Sequence, residues 1–133
     1  MGDIAAATRL DGGFVEGLMA VDAPIGRARG LPNAAYTDAD FAAFEQRRLW
    51  RRGWACVGFA SDVPAPGDAR PVELGGAPLL LLRAKDGGVR VFHNVCRHRG
   101  MKLASVPTRF ANVIRCPYHS WCYDHGGKLM IAP

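Results

Sequence analysis

Two short segments of this chain each carry one cysteine and one histidine. They are residues 96–98 (Cys-Arg-His) and residues 116–119 (Cys-Pro-Tyr-His), and 17 residues separate the first histidine from the second cysteine. A cysteine thiolate and a neutral imidazole are both metal ligands, so each segment offers a mixed pair. The pattern indicates a metal centre built from two loops, and the candidate ligands are Cys96, His98, Cys116 and His119.

Two such loops can hold a [2Fe–2S] cluster unequally, with Cys96 and Cys116 on one iron and His98 and His119 on the other. Neutral histidines remove negative charge from the cluster and raise its reduction potential to roughly −150 to +300 mV, against about −400 mV for all-cysteine plant-type clusters. The chemistry of this centre is one-electron transfer. The histidine edges would face solvent or a partner, because the second ring nitrogen can hydrogen-bond outward.

A structural zinc site with two cysteines and two histidines is the alternative. Zinc ligands usually occur as Cys-x2–4-Cys and His-x3–5-His groups, whereas this chain has Cys-x-His and Cys-x2-His. The spacing therefore favours the iron–sulfur cluster. Zinc without acid-labile sulfide would identify a zinc-stabilised binding module instead.

The remaining cysteines and histidines lie outside this pattern. Cys56 occurs in an apolar stretch and is expected to fill the core, and Cys122 is expected to be a free, partly buried thiol. His93 is expected to be a hydrogen-bonded residue at a strand end, and His125, in a glycine-rich turn, is expected to be exposed.

Short strands and tight turns must position the two loops. Glycine and proline are frequent, with 16 and 9 residues, which favours turns over long helices. Runs of strand-forming residues bounded by turn residues predict antiparallel strands and hairpins. The predicted strands are residues 54–59, 69–74, 78–83, 89–92, 110–115, 121–123 and 128–131.

One amphipathic helix is predicted before the strands, over residues 38–52. Thr37 is its expected N-cap, followed by acidic residues in the first turn. Phe41, Phe44 and Leu49 then recur at helical spacing.

Length and charge limit the remaining possibilities. A chain of 133 residues fits one compact domain, and its formal net charge of +5 favours contact with acidic partners. No apolar run approaches the roughly 20 residues needed to span a bilayer, and the N-terminus lacks the pattern of a signal peptide. We therefore expect a cytoplasmic protein with no membrane or nucleic-acid partner. The expected organisation is a poorly ordered N-terminal arm (1–30), a leading segment with the helix (31–53) and a β domain (54–133).

The two segments with their flanks resemble the Rieske domain of ring-hydroxylating oxygenase α subunits. The residues concerned are 93–100 (His-Asn-Val-Cys-Arg-His-Arg-Gly) and 116–123 (Cys-Pro-Tyr-His-Ser-Trp-Cys-Tyr). That group includes aromatic dioxygenases and choline- and carnitine-type monooxygenases, and the resemblance runs from about residue 31 to residue 133. It implies an all-β fold, a Rieske-type antiparallel β sandwich with a small cluster-binding subdomain, preceded by one N-terminal α-helix.

The resemblance also implies an oxidoreductase with two iron centres. One Rieske [2Fe–2S] cluster per chain would receive electrons from a ferredoxin or flavin reductase. It would pass them to a mononuclear non-haem Fe(II) in a C-terminal catalytic domain, which this sequence lacks. The complete enzyme would be a monooxygenase or dioxygenase acting on an aromatic or quaternary-ammonium substrate, with a possible homotrimer. This chain alone is therefore expected to be inactive as an oxygenase.

A free-standing Rieske ferredoxin is the second alternative, and the leading segment, which such carriers lack, favours the oxygenase. Ser120 stands where the family usually has glycine. Either its backbone is strained at a positive φ, or its hydroxyl donates a hydrogen bond toward the cluster. Trp121 is expected to pack behind the second segment as part of the core.

Overall fold

The structure is a computed structural model, and it describes residues 12–133. The chain divides into two compact units, Met1–Trp54 and Ala55–Pro133. Among the described residues, no helix has the length and apolar character needed to cross a membrane.

The first unit is helical. It contains α1 (Gly12–Met19) with a 3-10 turn (Ala20–Asp22), α2 (Ala34–Thr37), and α3 (Ala39–Glu45), which continues as a π-helical stretch (Gln46–Trp50). Phe14 of α1 is buried, and its ring contacts that of Phe41 edge-on at 5.0 Å. This contact explains why a helix forms within residues 12–30, where a poorly ordered arm was expected. Residues 1–11 of that expected arm lie outside the described residues.

The predicted helix begins one residue later than expected. The Asp38 carboxylate accepts a hydrogen bond from the Phe41 amide at 2.8 Å and is the N-cap. The prediction of Thr37 as the cap is wrong, because its hydroxyl donates to the Asn33 carbonyl within α2. The α-helical part ends at Glu45 instead of Arg52.

The second unit consists of two antiparallel sheets, so the prediction of an all-β fold is confirmed. The larger sheet has the order β3-β2-β1-β4 and the smaller has the order β5-β6-β7. The strands are β1 (Asp68–Leu74), β2 (Ala77–Arg83), β3 (Val89–His93), β4 (Thr108–Arg109), β5 (Ile114–Arg115), β6 (Cys122–Tyr123) and β7 (Leu129–Ile131).

Two of the predicted strands differ from the structure. Residues 54–59 form no strand, and among the described residues nothing pairs with them. Cys56 is exposed there, so its expected place in the core is wrong. The strand predicted over 110–115 is reduced to β5, because only Ile114 and Arg115 pair with β6.

The core of the second unit lies directly beneath the candidate ligands. Leu80 and Leu82 of β2 are fully buried and pack with Ile114 of β5. Cys96 and Cys116 belong to the same buried cluster. The apolar core therefore fixes the positions from which the two cysteine-bearing loops leave.

Candidate metal centre

The first loop, residues 96–101, is closed by two backbone hydrogen bonds. The Cys96 amide donates to the Met101 carbonyl at 2.7 Å, and the Gly100 amide donates to the Cys96 carbonyl at 2.9 Å. Gly100 has φ +72°, in the left-handed region that favours glycine. The loop turns sharply there and leaves His98 at its exposed tip.

The second loop, residues 116–121, repeats this pattern. The Cys116 amide donates to the Trp121 carbonyl at 2.8 Å, and the Ser120 amide donates to the Cys116 carbonyl at 3.1 Å. Ser120 occupies the position equivalent to Gly100 and has φ +59°. It is the one residue other than glycine in residues 12–133 with a positive φ, which agrees with the strain expected there.

The candidate ligands are arranged as two unlike pairs. Cys96 and Cys116 are each 2% exposed, and both belong to one buried cluster. His98 and His119 are both exposed, and their ring centroids lie 4.8 Å apart at 66°. Thiols therefore face thiols in the interior, and imidazoles face imidazoles at the surface.

This donor set fits a two-iron cluster with unequal ligands, because each iron needs its own pair. Within residues 12–133, no three His, Cys, Asp or Glu side chains are gathered so that they could hold a single metal ion. The structure brings the four predicted residues into two pairs, the cysteines in one buried cluster and the imidazoles 4.8 Å apart, and their assignment as ligands stays a prediction.

Tyr123 connects the core to the first loop. Its hydroxyl lies 3.2 Å from the Cys96 Sγ and accepts a hydrogen bond from the Arg97 amide at 3.0 Å. Burial and the neighbouring Cys96 raise the pKa of Tyr123, so the phenol stays protonated and is the hydrogen-bond donor to a Cys96 thiolate. Burial by itself raises the pKa of the Cys96 thiol, but the hydrogen bonds from Tyr123 and the His98 amide outweigh it and lower that pKa. The site thus favours a thiolate at Cys96.

Asn94 fixes the chain on the other side of the first loop. It is 2% exposed, and its Oδ1 accepts from the amides of Leu103 and Ala104 at 2.9 and 3.1 Å. Its Nδ2 donates to the Ala104 carbonyl at 2.7 Å. A buried amide that satisfies both ends in this way holds the segment after the loop against the strand before it.

Comparison with known proteins decides the family. The family model described as "Rieske [2Fe-2S] domain" matches residues 53–133. The chain belongs to this family. The resemblance inferred from the two segments is therefore confirmed, and the cofactor of this Rieske domain is a [2Fe–2S] cluster.

Relatives of the Rieske domain are oxygenase subunits. The chain is 36% identical over 102 residues to the glycine betaine monooxygenase oxygenase subunit of Chromohalobacter salexigens, covering 77% of this chain and 23% of that subunit. It is 39% identical over 98 residues to the chlorobenzene dioxygenase subunit alpha of a Cupriavidus species, covering 74% of this chain and 22% of that subunit. The chain thus spans less than a quarter of the length of these relatives.

Solved structures of two oxygenases are also similar to this chain. The apo form of a quaternary ammonium Rieske monooxygenase superposes with a TM-score of 0.70 at 34% identity, covering 77% of this chain and 30% of that one. Naphthalene 1,2-dioxygenase from a Rhodococcus species, bound to indole, superposes with a TM-score of 0.73 at 27% identity, covering 90% of this chain and 26% of that one.

Aromatic side chains contact both imidazoles of the Rieske domain. The indole of Trp121 stacks on the His98 ring at 4.8 Å and 6°, and the Tyr118 ring lies 3.7 Å from that of His119. Partial desolvation, His119 and Arg99 lower the pKa of His98, so its neutral, ligating form is favoured. Trp121 packs against the core as expected, and its stacking on the first loop was not predicted.

Ser120 makes a different contact from the one considered in the sequence. Its hydroxyl accepts a hydrogen bond from Arg115 Nη2 at 2.8 Å, and its carbonyl accepts one from the Cys122 thiol at 3.2 Å. Cys122 is free and buried. Ser120 therefore ties the second loop to both neighbouring strands.

The prediction for His125 is wrong, and two supporting residues had no prediction. His125 was expected to be exposed, but it is buried, and its Nε2 lies 2.8 Å from the Phe110 carbonyl. Sequence reasoning also missed Tyr123 and Asn94 as supports of the first loop. A signal for Tyr123 was available, because a phenol on a buried strand needs a hydrogen-bond partner.

Proposed function

We propose that this chain transfers single electrons through its [2Fe–2S] cluster. Cys96 and Cys116 would ligate one iron, and His98 and His119 would ligate the other. The observation that carries the proposal is the separation of the donors into a buried thiol pair and an exposed imidazole pair. Neutral imidazole in place of thiolate raises the potential of such a cluster.

The protein around this site orients and insulates the donors. Tyr123 donates to the sulfur of a Cys96 thiolate, and the core packs beneath both cysteines, each of which is 2% exposed. The exposed edges of His98 and His119 leave the other side open to a redox partner. An electron would therefore enter or leave on the histidine side.

The charge around the two loops suits an acidic electron donor. Residues 94–123 contain no Asp or Glu. Their charged residues are all basic: Arg97, Arg99, Lys102, Arg109 and Arg115. Arg97, Arg99 and Lys102 are exposed on or next to the first loop. A surface of one sign raises the association rate of a partner of the opposite sign. A ferredoxin, or the acidic face of a flavin reductase, is the donor that we propose.

The acceptor would be an oxygenase catalytic domain. The relatives are oxygenase subunits, and this chain matches less than a quarter of each. We propose that the chain serves as the electron-accepting domain of a monooxygenase or dioxygenase. The mononuclear iron, the substrate and any trimer would belong to the complete enzyme, and this chain alone would not hydroxylate.

Analysis of the purified chain tests the centre. We expect about two irons and two acid-labile sulfides per chain. The reduced protein should have an electron paramagnetic resonance (EPR) spectrum whose average g value is below that of all-cysteine clusters, with hyperfine coupling to two nitrogen ligands. Zinc without sulfide, or a cluster spectrum without nitrogen coupling, would contradict the proposal.

Reduction kinetics test the donor. We expect the rate of reduction by an acidic ferredoxin to fall with ionic strength and to fall further in Arg99→Gln. Lys85→Gln is the matched control, because Lys85 is exposed in the turn before β3, whereas the first loop follows the other end of that strand. Equal rates in the two variants would rule out docking at the first loop.

A further inference from the structure

Trp121 belongs to the second loop, but its side chain contacts His98 of the first loop. Its backbone carbonyl accepts the hydrogen bond from the Cys116 amide that closes the second loop. Its indole lies over the His98 ring, with centroids 4.8 Å apart and planes 6° from parallel. No other aromatic contact among the described residues joins the two loops except that between the two imidazoles.

The His98 imidazole is therefore held from two directions. The indole covers one face, and the His119 ring meets it at 66°. Trp121 is half-buried and packs against the core that contains both cysteines, so the indole is supported from behind. His98 itself is exposed, and no hydrogen bond to either of its ring nitrogens is found in residues 12–133.

An exposed imidazole without a hydrogen bond has broad freedom about its outer side-chain torsion. A metal-bound histidine usually gains its orientation from a hydrogen bond to its second ring nitrogen. Here the stacked indole fixes the ring plane instead. The second ring nitrogen of His98 is thereby left available to solvent or to a redox partner.

We infer that Trp121 is a positioning residue that sets the orientation of the His98 ring toward the cluster and so tunes the reduction potential. The inference rests on the proposed function, in which His98 is a ligand. The indole face carries partial negative charge. Reduction adds negative charge to the cluster, and an indole stacked on a ligand opposes that addition. The indole also keeps water from that face of the ring, and water would favour the more charged, reduced form.

Two substitutions separate a positioning role from simple packing. Trp121→Phe keeps an aromatic face over His98, and Trp121→Leu fills the space without one. Should the leucine variant fail to bind the cluster, Trp121→Met, which is unbranched and fills irregular space, takes its place. Trp54→Leu is the matched control, because Trp54 is fully exposed and lies in the first unit.

Pulsed EPR of the reduced holoprotein measures the hyperfine coupling of each ligand nitrogen. We expect Trp121→Leu to shift and broaden one of the two nitrogen couplings and to raise the reduction potential. Trp121→Phe should return both quantities toward those of the unchanged chain, and Trp54→Leu should leave both unaltered.

The result that overturns the inference is a leucine or methionine variant with two unaltered nitrogen couplings and an unaltered potential. A phenylalanine variant with the same couplings and potential as the leucine variant would also overturn it. In that case an aromatic face over His98 would make no difference, and Trp121 would act only by filling space. If the unchanged chain lacks nitrogen coupling, the proposed function has failed instead, so the two failures are distinguishable.

Discussion

The first and second loops have the same backbone hydrogen bonds, but they are supported by different parts of the molecule. The first is held from the interior, where Tyr123 contacts the Cys96 sulfur and Asn94 fixes the chain beyond the loop. The second is held at the surface, where Arg115 donates to the Ser120 hydroxyl. The residue with positive φ is glycine in the first loop and serine in the second.

This difference separates the geometry that a ligand loop requires from the groups that adjust it. The two closing hydrogen bonds and the positive φ occur in both loops, so they are the common requirement. The phenol at Cys96 occurs in one loop only, and it gives the two cysteines different surroundings. Substitutions that change a shared feature should therefore affect the site differently from substitutions that change a feature of one loop.

Removal of either cysteine should have the largest effect. We expect Cys96→Ala and Cys116→Ala to lose the cluster completely, because a Rieske centre needs both thiolates on one iron. The measurement is iron and acid-labile sulfide per chain, with visible absorbance. Cys122→Ala is the control and should retain the cluster, since its thiol is engaged with the Ser120 carbonyl. Retention of full iron and sulfide in either of the first two variants would contradict the ligand assignment.

Tyr123→Phe should lower the reduction potential without loss of the cluster. A hydrogen bond to a ligand sulfur favours the reduced cluster, and a bond of about 1 kcal/mol corresponds to roughly 40 mV for a one-electron couple. A redox titration followed by visible absorbance measures the shift. Tyr118→Phe removes a hydroxyl beside the second loop and keeps the ring contact with His119, so its potential should be unchanged. A shift of equal size in both variants would show that the two loops are not supported differently.

The local parts of this site could be predicted from the sequence. Each loop places its cysteine and histidine within four residues, so their types and spacing can be recognised without a fold. The hairpin of β2 and β3 has its turn residues at Gly87 and Gly88, and the structure pairs these strands. Such features depend on neighbours in the chain, which a sequence displays directly.

The contacts that support the loops could not be predicted in the same way. Tyr123 and Cys96 are 27 residues apart, and their contact depends on how the two sheets are placed. His125 is buried because the Phe110 carbonyl, 15 residues away, comes within reach of its ring. At residues 54–59 the error was the reverse, since a strand was predicted that the structure does not contain. An apolar run forms a strand only when another strand pairs with it.

Gly100→Ala should destabilise the chain by about 1 kcal/mol, because a side chain at φ +72° is strained. A Cβ at this position would meet no atom within 4 Å, so the cost is conformational and not steric. The melting temperature of the cluster-bound chain, followed by visible absorbance at a fixed scan rate, measures it. Gly26→Ala also meets no atom within 4 Å and has no positive φ, and it should cause less loss. An unchanged melting temperature in Gly100→Ala would show that a side chain at this positive φ costs no stability, so that the first loop does not need glycine there.

The smallest effects are expected at the equivalent position of the second loop. Ser120→Gly relieves a backbone cost of about 1 kcal/mol but removes a hydrogen bond to Arg115 of about the same size, so the net change should be within about 0.5 kcal/mol. Ser120→Ala removes the same bond and keeps the positive φ, and it should lower the melting temperature. The order of stability should thus be Ser120→Gly above Ser120→Ala. Because neither variant has the bond from Arg115, the reverse order would mean that the positive φ of residue 120 is not strained.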